Sequence, residues 1–304
     1  MIGLPNKLFL VSKRSRNSTK RKLLEAILHN YRKHVMTTLF FLDAAEKQYD
    51  DISAGKSLIT EDKYPPLIDF NATPVMVRLQ PLKFFCTAET KRWLCDDLFD
   101  HGLGVYLVWC FEELEEFFKN IYAFVGLCNE NYWQQGDFAK NAKHNTFKDY
   151  RTAVKKNRSL RNYKDILTRL RKIFSQIEEF EKKGEVYFDW DVAYTAQMRH
   201  HIVHAACAVE DTNKFNQKIR DALGLNGNSD FEKYLSDMGK RYLTPDRNST
   251  TSSVFYIHLF DASNKQHKVE PCSKAVLNLF AYAQLIKTAI DNSFFAKEST
   301  VEIS

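Results

Sequence analysis

Residues 103–126 read "LGVYLVWCFEELEEFFKNIYAFVG", and this stretch decides the fold class. Leu107, Phe111, Leu114, Phe118, Ile121 and Val125 recur at steps of three and four. That spacing lines up side chains along one side of an α-helix. Tyr106, Trp109 and Phe117 widen the stripe, so the helix is expected to be central, with neighbours on several sides. Glu112, Glu115, Glu116 and Lys119 crowd what is left of its circumference. The plain reading is a solvated face; a carboxylate there could also orient an arginine from a neighbouring helix.

Working outward, the same periodicity returns. Leu24, Ile27, Tyr31, Val35, Leu39 and Leu42 predict a helix from about residue 18 to 49. The basic run "KRSRNSTKRK" (13–22) before it reads as a solvated helix start rather than a phosphate contact. Residues 51–83 differ: four of the seven prolines fall in 63–85, and proline removes a backbone donor and disfavours helix before it. An extended connector is expected there, with a short strand at "VMVRL". This gives an N-terminal helical region with a Pro-rich connector (1–95) and a helical domain (96–304).

Further along, 147–183 is read as helical, with Ile166, Leu170, Ile173, Ile177 and Phe180 as its core stripe. A helix containing "MRHHIVHAAC" follows, capped by Asp189 or Asp191. Two alternating runs around "DASNK" predict a β-hairpin. A last helix, 273–295, carries Val276, Leu279, Ala283, Ile286 and Ile290 on one face.

Composition agrees with a mainly α chain. Of 304 residues 44% are hydrophobic, while Gly (10) and Pro (7) are scarce. The net charge of +6 and pI near 8.8 suit a nucleic-acid partner without demanding one. No two of the six cysteines have C-x-x-C spacing, which argues against a zinc ribbon or a redox dithiol. They read as small buried hydrophobes in a reducing compartment. No apolar run approaches a membrane span, and the first charges follow an apolar stretch, the wrong order for a secretory signal. The expectation is a cytoplasmic protein with no membrane partner.

Charge is concentrated locally. Between Lys148 and Lys172 there are ten basic residues and two acidic ones. Lys155, Lys156, Arg158 and Arg161 are the candidate RNA-backbone contacts, and Tyr150 and Tyr163 lie among the cations, where they could stack on bases. A solvated surface competes with this reading, because Lys and Arg favour helix for propensity reasons alone.

The least ordinary stretch is "MRHHIVHAAC", residues 198–207, which holds three of the nine histidines directly behind an arginine. At about 100° per residue, Val192, Ala196, Val203 and Ala206 form an apolar stripe, and Arg199 falls in its middle. A guanidinium there needs a carboxylate, carbonyls or a phosphate, because desolvating it takes several kcal/mol. His200 and His204 share one edge of the stripe and His201 faces away. Arg199 and His204 are about 140° apart, so one ideal helix does not aim both at one ligand. A distorted helix end or a symmetric dimer, in which the same patch meets itself, could bring such groups together.

Histidine exchanges protons near pH 7, and arginine holds phosphate oxygens with a fixed fork of donors. RNA supplies its own nucleophile, the 2′-hydroxyl, so cleavage by such a pair calls for no metal or other cofactor. Zinc chelation by His200 and His204 is the rival chemistry; no H-E-x-x-H glutamate and no third ligand accompany them. The blander alternative is a helix end whose histidines cap carbonyls or face water.

Arg199-His200-His201-Ile202-Val203-His204 resembles the R-x(4–6)-H motif of the HEPN superfamily, with His200 at the polar position after the arginine. The resemblance covers roughly residues 96–296: an acidic-faced apolar helix, basic helices, the motif helix, a hairpin and a closing helix. It implies an HEPN-like helical bundle with a small β-hairpin and a helical N-terminal extension. It also implies a dimeric, metal-independent endoribonuclease whose products end in a 2′,3′-cyclic phosphate, with Arg199 and His204 catalytic and His200 supporting them. Glu112 or Glu116 would orient Arg199. Many HEPN proteins are toxins, antiphage-defence effectors or RNA-processing enzymes, which implies an antitoxin or defence-system partner; others are non-catalytic dimerisation or nucleotide-binding modules. Related motifs often continue with Asn and Gly, whereas this chain has Ala205-Ala206-Cys207.

Overall fold

Helix α2 (Ala88–Cys128) carries the stripe that opened the sequence reading, and the stripe is buried along its whole length. Leu107, Phe111, Leu114, Phe118, Ile121 and Val125 are all at most 1% exposed. At about 1.5–3 kcal/mol per fully buried large apolar side chain, burying these six positions stabilises the fold by on the order of 10 kcal/mol before the cost of ordering the chain. The computed structural model describes residues 13–53, 88–134, 137, 146–160, 162–245, 254–261 and 269–296. Around α2 pack α1 (Lys13–Ser53), α3 (Phe147–Lys156), α4 (Tyr163–Ile173), α6 (Phe188–His204) and α9 (Glu270–Phe295). The architecture is mainly α. Short α5 (Gln176–Gly184) lies on α9, and α7 (Thr212–Leu223) lies on α6. The remaining helix, α8 (Ser229–Tyr242), runs directly into a strand.

Helix α1 buries Leu24, Ile27, Tyr31, Val35 and Leu42 in the same hydrophobic cluster as α2 and α9. The boundary expected near residue 95 therefore falls within α2, and the described N-terminal helix shares its core with the rest of the chain. The basic run forms the first turns of α1 and is partly used in packing: Lys20 Nζ donates to the carbonyl of Leu127 (3.1 Å) and Arg21 reaches Asp291 (3.4 Å). The expected strand at "VMVRL" lies outside the described residues.

Residues 147–183 form three helices rather than one. A capping box between Thr146 and Asp149 starts α3, Asn162 caps α4 through Lys164 N (3.1 Å), and a left-handed Glu185 (φ 50°) ends α5. The breaks re-aim the stripe: Ile166, Leu170 and Ile177 are fully buried, while Phe180 is 54% exposed. Asp189 and Asp191 do not cap α6, whose first residue is Phe188. They lie inside its first turn and bond to other helices.

Three short strands make one antiparallel sheet, β1 (Ala208–Val209), β3 (Phe255–Ile257) and β2 (Leu243–Pro245), in that spatial order. Tyr256 stands opposite both Ala208 and Thr244. The first run of the expected hairpin is thus the central strand, paired with two earlier segments, and residues 262–268 lie outside the described residues. Cys110, Cys207 and Cys272 are buried and Cys128 is half-buried; the side chains of Cys86 and Cys95 are not described. Among the described residues no helix is long and apolar enough to cross a membrane.

Candidate functional site

The first half of α6 is locked from three sides. Asp189 reaches Arg171 of α4 (3.6 Å), and Asp191 accepts from Tyr234 of α8 (2.9 Å) and Asn278 of α9 (3.0 Å). Trp190, Val192, Tyr194 and Met198 are buried beneath these bonds. The second half leaves the core. Its approach to α2 is close at one point, where a Cβ on Gly104 would stand 3.2 Å from Ile202 Cγ2.

The end of α6 is held by backbone. The carbonyl of His201 accepts from Ala205 N (2.9 Å) and Cys207 N (3.1 Å). Ala206 and Cys207 then adopt left-handed φ angles of 46° and 67°, turning the chain into β1, and Ile257 N donates to the carbonyl of Cys207 (3.0 Å). His201 does not simply face outward: its Nδ1 lies 2.7 Å from the Ala208 carbonyl and its ring packs 5.3 Å from Phe215. It is the histidine that ties the helix end to the sheet.

The stripe drawn through Val192 and Val203 does not hold to the end of α6. Val203 is 46% exposed and Ala206 lies beyond the helix. Arg199 accordingly sits at the rim of the core, with its side chain 30% exposed. Its Nη2 donates to Glu112 Oε1 of α2 at 2.9 Å, while its buried Nε has no protein partner. Glu116, the other carboxylate expected at Arg199, instead holds Arg151 of α3 and Lys119 (3.2 Å). One helical turn along α2 separates the two roles.

His200 and His204 are exposed, with ring centroids 5.0 Å apart. Partial burial, then the charges of Lys218, His201, His204 and Arg199, hold the His200 imidazole below its ordinary pKa, so it is mostly neutral at pH 7. A neutral imidazole can accept a proton or a hydrogen bond. No group of three or more His, Cys, Asp and Glu side chains arranged for a metal ion occurs among the described residues.

Beside His200 opens a cleft of about 210 Å³, bounded by α2, the start of α4, α6 and α7. Arg199, His200, Lys164 and Lys218 face it, with Glu115 as its carboxylate. Burial pushes the Glu115 carboxyl up from its ordinary value, against the pull of Lys119 and Arg199. His204 does not line this cleft. Lys164 was legible only as one of many cations, and Lys218 and Gln197 carried no sequence signal, since nothing in the periodicity pairs α7 with α4.

The basic segment divides in two. Arg151, Arg169 and Arg171 are structural, pairing with Glu116, the buried Asp137 and Glu181 respectively. Lys155, Lys156 and Arg158 are exposed, whereas Arg161 lies outside the described residues. Tyr150 and Tyr163 are not surface platforms for bases: they are 3% and 7% exposed. Compared with protein-family profiles, curated proteins and solved structures, the chain matches none.

Proposed function

We propose that this chain is a metal-independent endoribonuclease of the HEPN type. The observation that carries the reading is the grouping at the end of α6. Arg199 is held by Glu112 with a donor to spare, and His200 and His204 stand exposed on the following turn. The 2′-oxygen of RNA attacks the adjacent phosphorus, forming a P–O2′ bond while the P–O5′ bond breaks. A histidine takes the 2′-hydroxyl proton and a histidine gives one to the leaving 5′-oxygen. His204 is the acid/base group and His200 its helper. Arg199 binds the non-bridging oxygens, whose negative charge grows in the transition state. The products are a 2′,3′-cyclic phosphate and a 5′-hydroxyl.

Two copies complete the site. Within one chain His204 stands outside the cleft that Arg199 and His200 face, so a symmetric pair of α6 ends supplies the second set of groups. Lys155, Lys156 and Arg158 are exposed and suited to backbone phosphates. A toxin or antiphage-defence role, with an antitoxin or defence-system partner, follows from the HEPN resemblance.

The second reading is a non-catalytic HEPN-like dimerisation or RNA-binding module. The separation of His204 from the cleft favours it. Purified wild-type and His204→Ala proteins, incubated with RNA in EDTA, decide between them. Cleavage with cyclic-phosphate ends by the wild type alone supports the enzyme. Equal cleavage by both removes His204 from the mechanism, and RNA binding without cleavage by either gives the module.

A further inference from the structure

The cleft beside Arg199 contains more donors than the chain can satisfy. Tyr163 is 7% exposed, and its hydroxyl is buried without a hydrogen-bond partner. Gln197 Nε2 and Arg199 Nε are likewise buried donors without a protein acceptor. All three residues line the one cleft. Unpaired buried polar groups are costly, and three in one place mark a site for an acceptor-rich ligand.

The charge at the mouth narrows the ligand. Lys164 and Lys218 face the cleft and neither makes an ion pair among the described residues, whereas the charge of Arg199 is already matched by Glu112. Asn162 caps α4 at the same edge, so the positive end of that helix dipole is also directed there. Two unmatched ammonium groups, a helix start and the neutral donors of Tyr163 and Gln197 suit a dianion better than the single charge of a backbone phosphodiester. Glu115 is the one carboxylate lining the cleft, and burial pushes its carboxyl up from its ordinary value.

We propose that this cleft is a pocket for a phosphomonoester, the terminal phosphate of an oligonucleotide, gripped by Lys164 and Lys218 at the mouth and by Tyr163 and Gln197 within, with Arg199 at its edge left to the scissile phosphate. The identity of the ligand as RNA rests on the function proposed above; the preference for a terminal phosphate does not. The site would select RNA ends, placing cleavage at a set distance from a phosphorylated terminus.

The test uses the full chain and short 2′-O-methyl RNAs, which cannot be cleaved, bearing a 5′-phosphate, a 3′-phosphate or neither. Binding is followed by fluorescence anisotropy. One of the phosphorylated strands should bind about tenfold more tightly than its unphosphorylated twin, and Lys164→Gln/Lys218→Gln should erase that difference. The arm that responds identifies which end is read. Equal affinity for all three strands, or a preference that survives in the double variant, overturns the pocket. Because the strands are inert, failure to cleave RNA would sink the ribonuclease and leave this result standing, and the reverse also holds.

Discussion

Glu112 Oε1 lies 2.9 Å from Arg199 Nη2, joining two helices across 87 residues of sequence. Both side chains are partly exposed, so the pair adds at most about 1 kcal/mol to stability. Its consequence is orientation. With Nη2 held and Nε turned inward, the guanidinium has a fixed plane.

Glu112→Ala should therefore leave melting nearly unchanged and slow single-turnover RNA cleavage about tenfold, equivalent to about 1.4 kcal/mol. Glu112→Gln keeps an oxygen acceptor at the same place and should recover most of that rate. Rates of wild type and both variants, beside their thermal melts, check it. A cleavage rate unaffected by Glu112→Ala would mean Arg199 needs no holder.

The left-handed residues at the end of α6 give a stability prediction. Ala206 (φ 46°) occupies a conformation that favours glycine, because its Cβ crowds the following carbonyl. Ala206→Gly relieves this, less the extra freedom glycine brings to the unfolded chain. A gain of about 0.5–1 kcal/mol in urea unfolding is expected. Ala206→Val, branched at Cβ, should lose stability. Destabilisation by Ala206→Gly would show that the alanine methyl packs usefully despite the backbone.

Long periodic segments were legible because one period fixes one face. The α2 stripe and Val276, Leu279, Ala283, Ile286 and Ile290 of α9 are all at most 1% exposed. What depended on partners distant in sequence was not. The cations counted as a basic run divide into paired Arg151, Arg169 and Arg171 and exposed Lys155 and Lys156 only because α2 and neighbouring segments supply carboxylates. Strand 255–257 announced its alternation but not its neighbours. At the site, the acidic face of α2 pointed to a carboxylate for Arg199. Choosing Glu112 over Glu116 required the axial registry of two helices, which no wheel contains.

Gly126 shows packing at its tightest. A Cβ there would clash with Nε1 and Cε2 of the Trp133 indole and stand 2.7 Å from Tyr150 Cδ1. Trp133 cannot move freely, since its Nε1 donates to the Tyr122 carbonyl (2.9 Å) and its ring stacks on Tyr122. Gly126→Ala should cost about 1–3 kcal/mol by overpacking, read as a lower urea midpoint with an unchanged slope. Gly102, where a Cβ would meet nothing within 4 Å, is the control: Gly102→Ala should not destabilise.

The start of α6 predicts how stability follows pH. Glu181, 1% exposed, is pushed up to about 7 by burial and then by Asp189, against the pull of Arg171. Asp191 is pushed up to about 6, again chiefly by burial. In the unfolded chain these carboxyls titrate at roughly 4. Between there and their folded values, the native protein keeps protons that the unfolded chain has released. Their contribution is therefore full below about pH 4 and is lost as pH rises through 6 and 7. Urea unfolding should give a stability about 1–3 kcal/mol lower at pH 8 than at pH 5. Glu181→Gln carries a neutral amide at every pH, and Arg171 keeps Asp189 (3.6 Å) and Glu178 (3.7 Å) as counter-charges. Its stability should therefore vary less over the same range. Parallel pH profiles for wild type and Glu181→Gln would show that Glu181 is ionised throughout, held so by the 2.7 Å contact with Arg171.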